Sequence, residues 1–282
     1  MNLLSIQSHV AFGHVGNSAA VFALQRLGCE VWPVHTVLLS NHPGYGQSRG
    51  APVEPSLVEA CVEGIAALGE LAHCDGALTG YLTTPEIAEA ALACVRLLKG
   101  ANPAARWCCD PVMGDHGRIY ARPGVVDFFR ERALPEADVI TPNLFELEQL
   151  AGHPVSDLAG ARAAMAALAA RGPRVVVVTS FDRQTPADAL DCLALADGVL
   201  WRARVARAPR AFEGAGDLFS ALFFARWLST GEAGAALAAA AAALAGVIAA
   251  TERAGRRELA LIAAQDELVA PTLTLAAERV DS

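Results

Sequence analysis

The chain has 282 residues, and its 22 Lys+Arg against 30 Asp+Glu give a formal net charge of −8. At 54% hydrophobic and 18% charged it carries ample apolar material for a core and is not a disordered tail. The acidic balance disfavours sequence-blind binding to nucleic acid, which needs a basic surface to displace counterions.

Short apolar, β-branched runs alternate with alanine-rich stretches of helical character. Residues 3–6 predict a strand, followed by the turn Gly13-His14-Val15-Gly16-Asn17 and a helix over 19–27. A second strand is expected over 30–39, and the stretch 40–55, rich in Gly, Pro and Asn, predicts a loop. A helix over 57–71 leads to a strand over 76–80. Pro85 suits the first turn of the next helix, which should end near Gly100. Buried strands are expected at 106–109, 138–141 and 174–179, with helical sequence between them. Residues 190–195 and 199–205, split by Asp197-Gly198, predict a hairpin. Two helices, from Asp217 and Ala233, are expected to close the chain.

This rhythm predicts a largely parallel sheet with helices on both faces. No linker, repeat or low-complexity spacer interrupts it, so one domain over 1–282 is expected. Ligands of such sheets gather beyond the carboxyl ends of the strands. Residues 1–7 run into the first strand with no basic leader or cleavage site, so no signal peptide is expected. The uncharged stretch 233–250 is mostly alanine and glycine, at the lower length limit for a membrane span, and is expected to pack inside a soluble protein. Seven cysteines without a repeated C-x-x-C suit reduced thiols in the cytoplasm better than a disulfide framework.

The only lysine is Lys99, in a sequence that reads as an exposed helix end, so 21 of the 22 cations are arginines. A Gly-x-x-x-x-Gly-Lys-Ser/Thr phosphate loop is excluded, because Lys99 follows Val95-Arg96-Leu97-Leu98. His9, His14, His35 and His42 have spacings that match no metal pair on one helix face.

Three constellations carry chemistry. In Gly214-Ala215-Gly216-Asp217-Leu218-Phe219-Ser220, small residues open an apolar helix, where a phosphate can approach free backbone N–H groups. An aspartate there makes sense as a base taking a proton from an attacking hydroxyl; the alternative is a Gly-rich turn with an ordinary cap. Cys109-Asp110-Pro111-Val112-Met113-Gly114-Asp115 follows a strand, and its two carboxylates can hold Mg²⁺ or simply belong to a solvated turn. In Thr141-Pro142-Asn143-Leu144-Phe145-Glu146, Pro142 stops a strand and Asn143 can cap, with Glu146 in the first helical turn as a capping carboxylate or a site residue.

These elements, in this order with Gln7-Ser8-His9, Gly13-His14-Val15-Gly16-Asn17, Ser40-Asn41-His42 and Leu78-Thr79-Gly80-Tyr81, resemble the pyridoxal kinases (vitamin B6 kinases) of the ribokinase-like superfamily over essentially the whole chain. The Gly-Ala-Gly-Asp motif marks only the superfamily; Gln-Ser-His, Ser-Asn-His and Cys-Asp-Pro-Val-Met-Gly-Asp are far more specific. The resemblance implies a three-layer α/β/α ribokinase-like fold with a mostly parallel central sheet, and ATP-dependent phosphorylation of the 5′-hydroxyl of pyridoxal. It implies Asp217 as catalytic base and Gly214, Ala215 and Gly216 as the anion hole. Asp110 and Glu146 would organise Mg²⁺, with Asp115 nearby at the phosphates and Thr141, Thr179 and Ser180 on the nucleotide side. A monovalent cation, K⁺ or Na⁺, is expected near Asp110 and Thr141. Ser8 would hydrogen-bond the pyridine ring, Tyr81 pack on it and Val37 line the wall, with Pro43 and Gly44 in the same pocket. A homodimer is implied as well.

Two departures stand out. Pro43 sits where relatives often carry Thr, which removes a hydroxyl and an N–H and bears on vitamer preference. Thr179-Ser180 follows the eukaryotic-type pattern, where some bacterial relatives have a lysine near the nucleotide. Two rival readings are a hydroxymethylpyrimidine kinase, with the same chemistry on a similar ring, and a non-catalytic vitamin B6 carrier, against which the intact 214–217 motif speaks.

Overall fold

The computed structural model describes residues 1–280. In chain order the elements are β1 (Asn2–Phe12), α1 (Asn17–Arg26), β2 (Glu30–Asn41), β3 (Gly50–Pro52), α2 (Pro55–Ala67), β4 (Gly76–Thr79), α3 (Pro85–Ala101), β5 (Arg106–Cys109), β6 (Gly114–Asp115), β7 (Arg118–Ile119), α4 (Val125–Phe128), β8 (Val139–Ile140), α5 (Leu144–Ala151), α6 (Leu158–Ala169), β9 (Val175–Phe181), β10 (Ala189–Ala196), β11 (Val199–Ala206), α7 (Ala215–Thr230), α8 (Ala233–Arg253), α9 (Gln265–Val269) and β12 (Glu278–Val280).

Ten strands form one sheet in the order β12-β11-β10-β9-β8-β5-β4-β1-β2-β3, and β6 and β7 pair as a separate ribbon. The six strands from β9 to β2 run parallel; β10, β11 and β12 on one side and β3 on the other are antiparallel additions. Parallel strands buried on both faces need continuous apolar sequence, and Val175 to Val178 supply it, each at most 2% exposed. One apolar core, with Val58, Leu92, Phe129, Leu147 and Leu168, holds α2 to α6 against one face. A second, with Leu24, Phe219, Phe223, Leu237 and Leu268, holds α1, α7, α8 and α9 against the other. This is the three-layer α/β/α arrangement.

Local signals set the helix boundaries. The Thr84 hydroxyl accepts the Ile87 N–H with Pro85 in the first turn of α3. Asn143 and Glu146 form a reciprocal capping box on α5. The uncharged helix α8 is long and apolar enough to cross a membrane, yet most of it is buried here against α7, β10 and β11. Gly234 admits the Trp201 ring so closely that a Cβ would lie 2.7 Å from it.

Several boundaries differ from expectation. β1 and β2 run on to Phe12 and Asn41, because their far ends pair with each other. The stretch 40–55 is therefore not all loop: after β2 comes a 3₁₀ turn, Pro43–Tyr45, and then β3. The helix expected to reach residue 71 ends at Ala67, because Gly69 turns left-handed at φ +82° and a separate 3₁₀ turn, Glu70–His73, follows. α7 and α8 do not close the chain, since α9 packs on α8 and β12 pairs with β11. Lys99 is not a freely exposed helix end: its ammonium lies 2.8 Å from Asp138 Oδ2 and donates to the Glu136 carbonyl at 2.8 Å.

Candidate active site

The carboxyl ends of β1, β2, β4, β5, β8 and β9 open on one side of the sheet, and the expected site residues lie in these strand ends, in the turns after them and at the start of α7. The most constrained point lies between the turn after β1 and the start of α7. Gly214, at φ +82°, lies so close to the first turn that a Cβ there would sit 1.8 Å from the His14 carbonyl oxygen. This approach lets the Gly16 N–H donate to Asp217 Oδ2 at 2.8 Å. Asp217 is partly exposed in the cleft. Burial raises its pKa against the lowering effects of the Gly16 N–H and His42. Of the three anion-hole residues, Ala215 turns its N–H back onto the Phe212 carbonyl. The N–H groups of Gly216 and Asp217, in the first turn, have no intrahelical acceptor and remain for an anion.

A second group lies under the helix. Asp110, at the end of β5, is 5% exposed, and Glu146, in the first turn of α5, is 3% exposed. Ser220 donates to Asp110 Oδ2 at 2.9 Å, and the Thr141 hydroxyl lies 2.9 Å from Ser220 Oγ. Glu146 Oε1 accepts the Met113 N–H at 2.9 Å and Oε2 accepts the Asn143 N–H at 2.9 Å, so this carboxylate caps α5 and also clamps the 110–115 turn. Burial pushes Glu146 up to about 8 despite those N–H groups. Asp110 is held well above the usual carboxylate range, by burial first and then by the charges of Glu146 and Asp217. Among the described residues no group of three or more His, Cys, Asp or Glu is placed to hold a metal by itself. Two buried like charges with few further side-chain donors nonetheless fit Mg²⁺, which takes one or two carboxylates and completes its shell with phosphate oxygens and water.

Asp115 stands apart from this pair, exposed at the tip of the β6–β7 ribbon, where its Oδ1 accepts the His116 N–H at 2.7 Å. Thr179 and Ser180 end β9 half-buried, with the Thr179 N–H bonded to the Pro142 carbonyl. On the opposite side of Asp217, Ser8 and Val37 are buried near the ends of β1 and β2. Tyr81 is tied to them through its carbonyl, which accepts the Thr36 hydroxyl at 2.8 Å. Pro43 and Gly44 lie on an exposed lip, where the Gly44 N–H donates to His42 Nδ1.

Sequence reasoning gave no role to Ser220, Gly16 or Tyr120. Ser220 was legible as the residue one helical turn after Asp217 on the same face. Gly16 was legible only as part of the 13–17 turn, because its bond to Asp217 is made across the fold; nothing in the sequence singled out Tyr120. The Tyr120 side chain is half exposed, and partial burial and then the charges of Glu146, Asp110, Asp115 and Asp217 push its phenol up. A cavity of about 470 Å³ lies elsewhere, between α8 and residues 271–277, and its lining holds no titratable side chain. The cysteines are free thiols, and burial raises Cys74 to about 11 and Cys192 to about 12, far from reactive thiolates.

A family model described as phosphomethylpyrimidine kinase matches residues 12–261. A pyridoxal kinase PdxY of Granulibacter bethesdensis is 46% identical over 278 residues, covering 96% of this chain and 97% of that protein. The chain belongs to the pyridoxal kinase family. Another member, pyridoxal kinase PdxY of Deinococcus radiodurans, is 45% identical over 99% of this chain and 97% of its own. Among solved structures, pyridoxal kinase from Leishmania donovani in complex with ADP and pyridoxamine superposes with a TM-score of 0.92, at 34% identity and 99% coverage of both chains. Pyridoxal kinases thus share the fold over its full extent, and the ribokinase-like architecture is theirs.

Proposed function

We propose that this chain transfers the γ-phosphoryl group of ATP to the 5′-hydroxyl of pyridoxal, and of pyridoxine and pyridoxamine, in vitamin B6 salvage. The observation that carries the reading is Asp217, a partly exposed carboxylate whose Oδ2 is fixed by the Gly16 N–H at the open end of α7. One oxygen is held and the other is left to take a proton. The relatives named pyridoxal kinase and the kinase solved with ADP and pyridoxamine support this pair of substrates.

Phosphoryl transfer depends on positioning and charge stabilisation more than on covalent work by the protein. In this reading Ser8, Val37 and Tyr81 hold the pyridine ring with its hydroxymethyl arm toward Asp217. Asp217 accepts the hydroxyl proton as oxygen attacks in line, and its raised proton affinity suits a base. The N–H groups of Gly216 and Asp217 face the charge that develops on the transferred group, with Gly214 admitting the close approach. Asp110 and Glu146 would hold Mg²⁺, which when bound neutralises phosphate charge. Thr141, beside Ser220 and Asp110, would serve a K⁺ or Na⁺ ion. Thr179, Ser180 and Asp115 take the nucleotide side. A cytoplasmic homodimer completes the proposal.

A second reading, phosphorylation of hydroxymethylpyrimidine, is favoured by the description of the matching family model. The purified chain assayed with ATP against pyridoxal, pyridoxine, pyridoxamine and hydroxymethylpyrimidine decides between them. The expected result is the highest kcat/KM on a B6 vitamer, and a preference for the pyrimidine overturns the reading. Light scattering tests the dimer.

A further inference from the structure

Away from the reacting groups, several contacts converge on two neighbouring residues in the segment after α8. Glu258 Oε2 accepts the His14 N–H at 2.9 Å, and its Oε1 accepts the Tyr45 hydroxyl at 2.7 Å. The Arg257 guanidinium lies 3.8 Å above the Tyr45 ring and donates to the Gly44 carbonyl. Tyr45 also meets the Phe12 ring edge-on, with centroids 6.0 Å apart. One short segment therefore fastens two loops, the turn after β1 and the lip after β2, from 244 and 213 residues away in sequence.

Both loops border the vitamer side of the cleft. The first runs from Gly13 to Gly16, whose N–H holds Asp217, and the second carries Pro43 and Gly44. Gly13 has φ +101°, and a Cβ there would lie 2.3 Å from Glu258 Oε2, so the first loop is shaped to receive this carboxylate.

We propose that Glu258 is a positioning residue for the vitamer: by joining Tyr45 to His14 it sets the separation of the two loops, and Arg257 stacked on Tyr45 reinforces it. Loops already fastened lose less conformational freedom when the ring is held between them, so the effect falls on vitamer affinity. ATP approaches from the other side of Asp217 and is unaffected. The proposal rests on the pyridoxal kinase reading above.

Steady-state kinetics on Tyr45→Phe, Glu258→Ala and Glu258→Gln test it. Tyr45→Phe removes only a hydroxyl from a residue 36% exposed, so it leaves the fold intact. Tyr45→Phe and Glu258→Ala are expected to raise KM for pyridoxal about fivefold, the scale of one ordinary solvent-exposed hydrogen bond, with KM for ATP unchanged. Glu258→Gln keeps both contacts, its amide oxygen taking the His14 N–H and its NH₂ donating to the Tyr45 oxygen, and should stay near wild type. The double variant Tyr45→Phe/Glu258→Ala should be no worse than Glu258→Ala alone. A lowered melting temperature with unchanged KM for pyridoxal, or an equal rise in KM for ATP, overturns the proposal. If the wild-type chain turns over no pyridoxal at all, the functional reading falls, and this one with it.

Discussion

Gly16 and Asp217 are 201 residues apart in sequence, and the N–H of the first donates to the carboxylate of the second at 2.8 Å. Gly16 has φ +55°, and a Cβ on it would lie 2.3 Å from the Ser8 carbonyl oxygen. The same glycine therefore touches the strand that carries Ser8 and the helix that carries Asp217. A single backbone position thus packs on the strand of Ser8 and holds the carboxylate of the proposed base, the kind of rigidity that near-attack geometry needs.

Asp217→Asn keeps an oxygen to accept the Gly16 N–H and loses the ability to take a proton. Turnover should fall by about 10²–10⁴. Nucleotide affinity, measured separately by calorimetry, should hold. Near-normal kcat would remove Asp217 from the base role.

Glu146 has two duties that one variant can separate. Glu146→Gln turns an NH₂ group toward backbone N–H donors at Asn143 or at Met113, so unfolding free energy should drop by about 1–3 kcal/mol. If the carboxylate also serves Mg²⁺, the concentration needed for half-maximal rate should rise. A lower melting temperature with an unchanged Mg²⁺ titration would leave it a cap and nothing more.

Much of this was legible in the chain. β5 lies where its apolar run predicted, and the β10–β11 hairpin extends the predicted strands by only a residue or so at their ends, because buried parallel strands and Asp-Gly turns write themselves into local sequence. Glu146 was legible too, as a cap, since Asn143 three residues earlier announces the box. What local sequence could not carry were contacts made across the fold. The approach of Gly214 to His14, the bond from Ser220 to Asp110 and the double grip of Glu258 each join segments more than a hundred residues apart. β3, β6, β7 and β12 were missed because two or three residues hold too little pattern for a period of two to be read.

His35 links pH to the same turn. Its ring stacks on His9 with centroids 4.5 Å apart, and its Nδ1 takes the Asn17 amide at 3.1 Å. Asn17 in turn donates to the Val34 carbonyl and accepts the Ser5 hydroxyl. Burial, and then His9, lowers the His35 pKa below its ordinary 6.5. Below 6.5 the unfolded chain thus binds a proton that the folded chain refuses, so stability is full above that value and is lost as pH falls through the folded pKa. Melting temperature should decline on acidification below pH 6.5 in the wild type, and His35→Gln should flatten the slope. Parallel slopes in the two proteins would dismiss His35 as the source.

The single lysine bears on how an aldehyde substrate is held. Asp138, which binds the Lys99 ammonium, precedes β8 and so lies at the amino ends of the strands, across the sheet from the cleft. Pyridoxal should therefore bind without a Schiff base. Borohydride treatment of the complex should leave Lys99 essentially unlabelled, and Lys99→Arg should keep kcat/KM within about threefold. Stoichiometric labelling with loss of activity in the variant would move the pocket.

The strand order also sets a timetable for synthesis. β1 is made before the other strands of the sheet yet lies inside it, between β2 and β4. A nascent chain that has emerged only through β4 can pair these three parallel strands and the lip beside them, while α7 has not yet been made. The proposed vitamer side can thus take shape before the carboxylate proposed as its base has been made. Glu258, which ties the early loops together, arrives later still. A product that stops before α7 would expose these loops without the carboxylate that completes the proposed site.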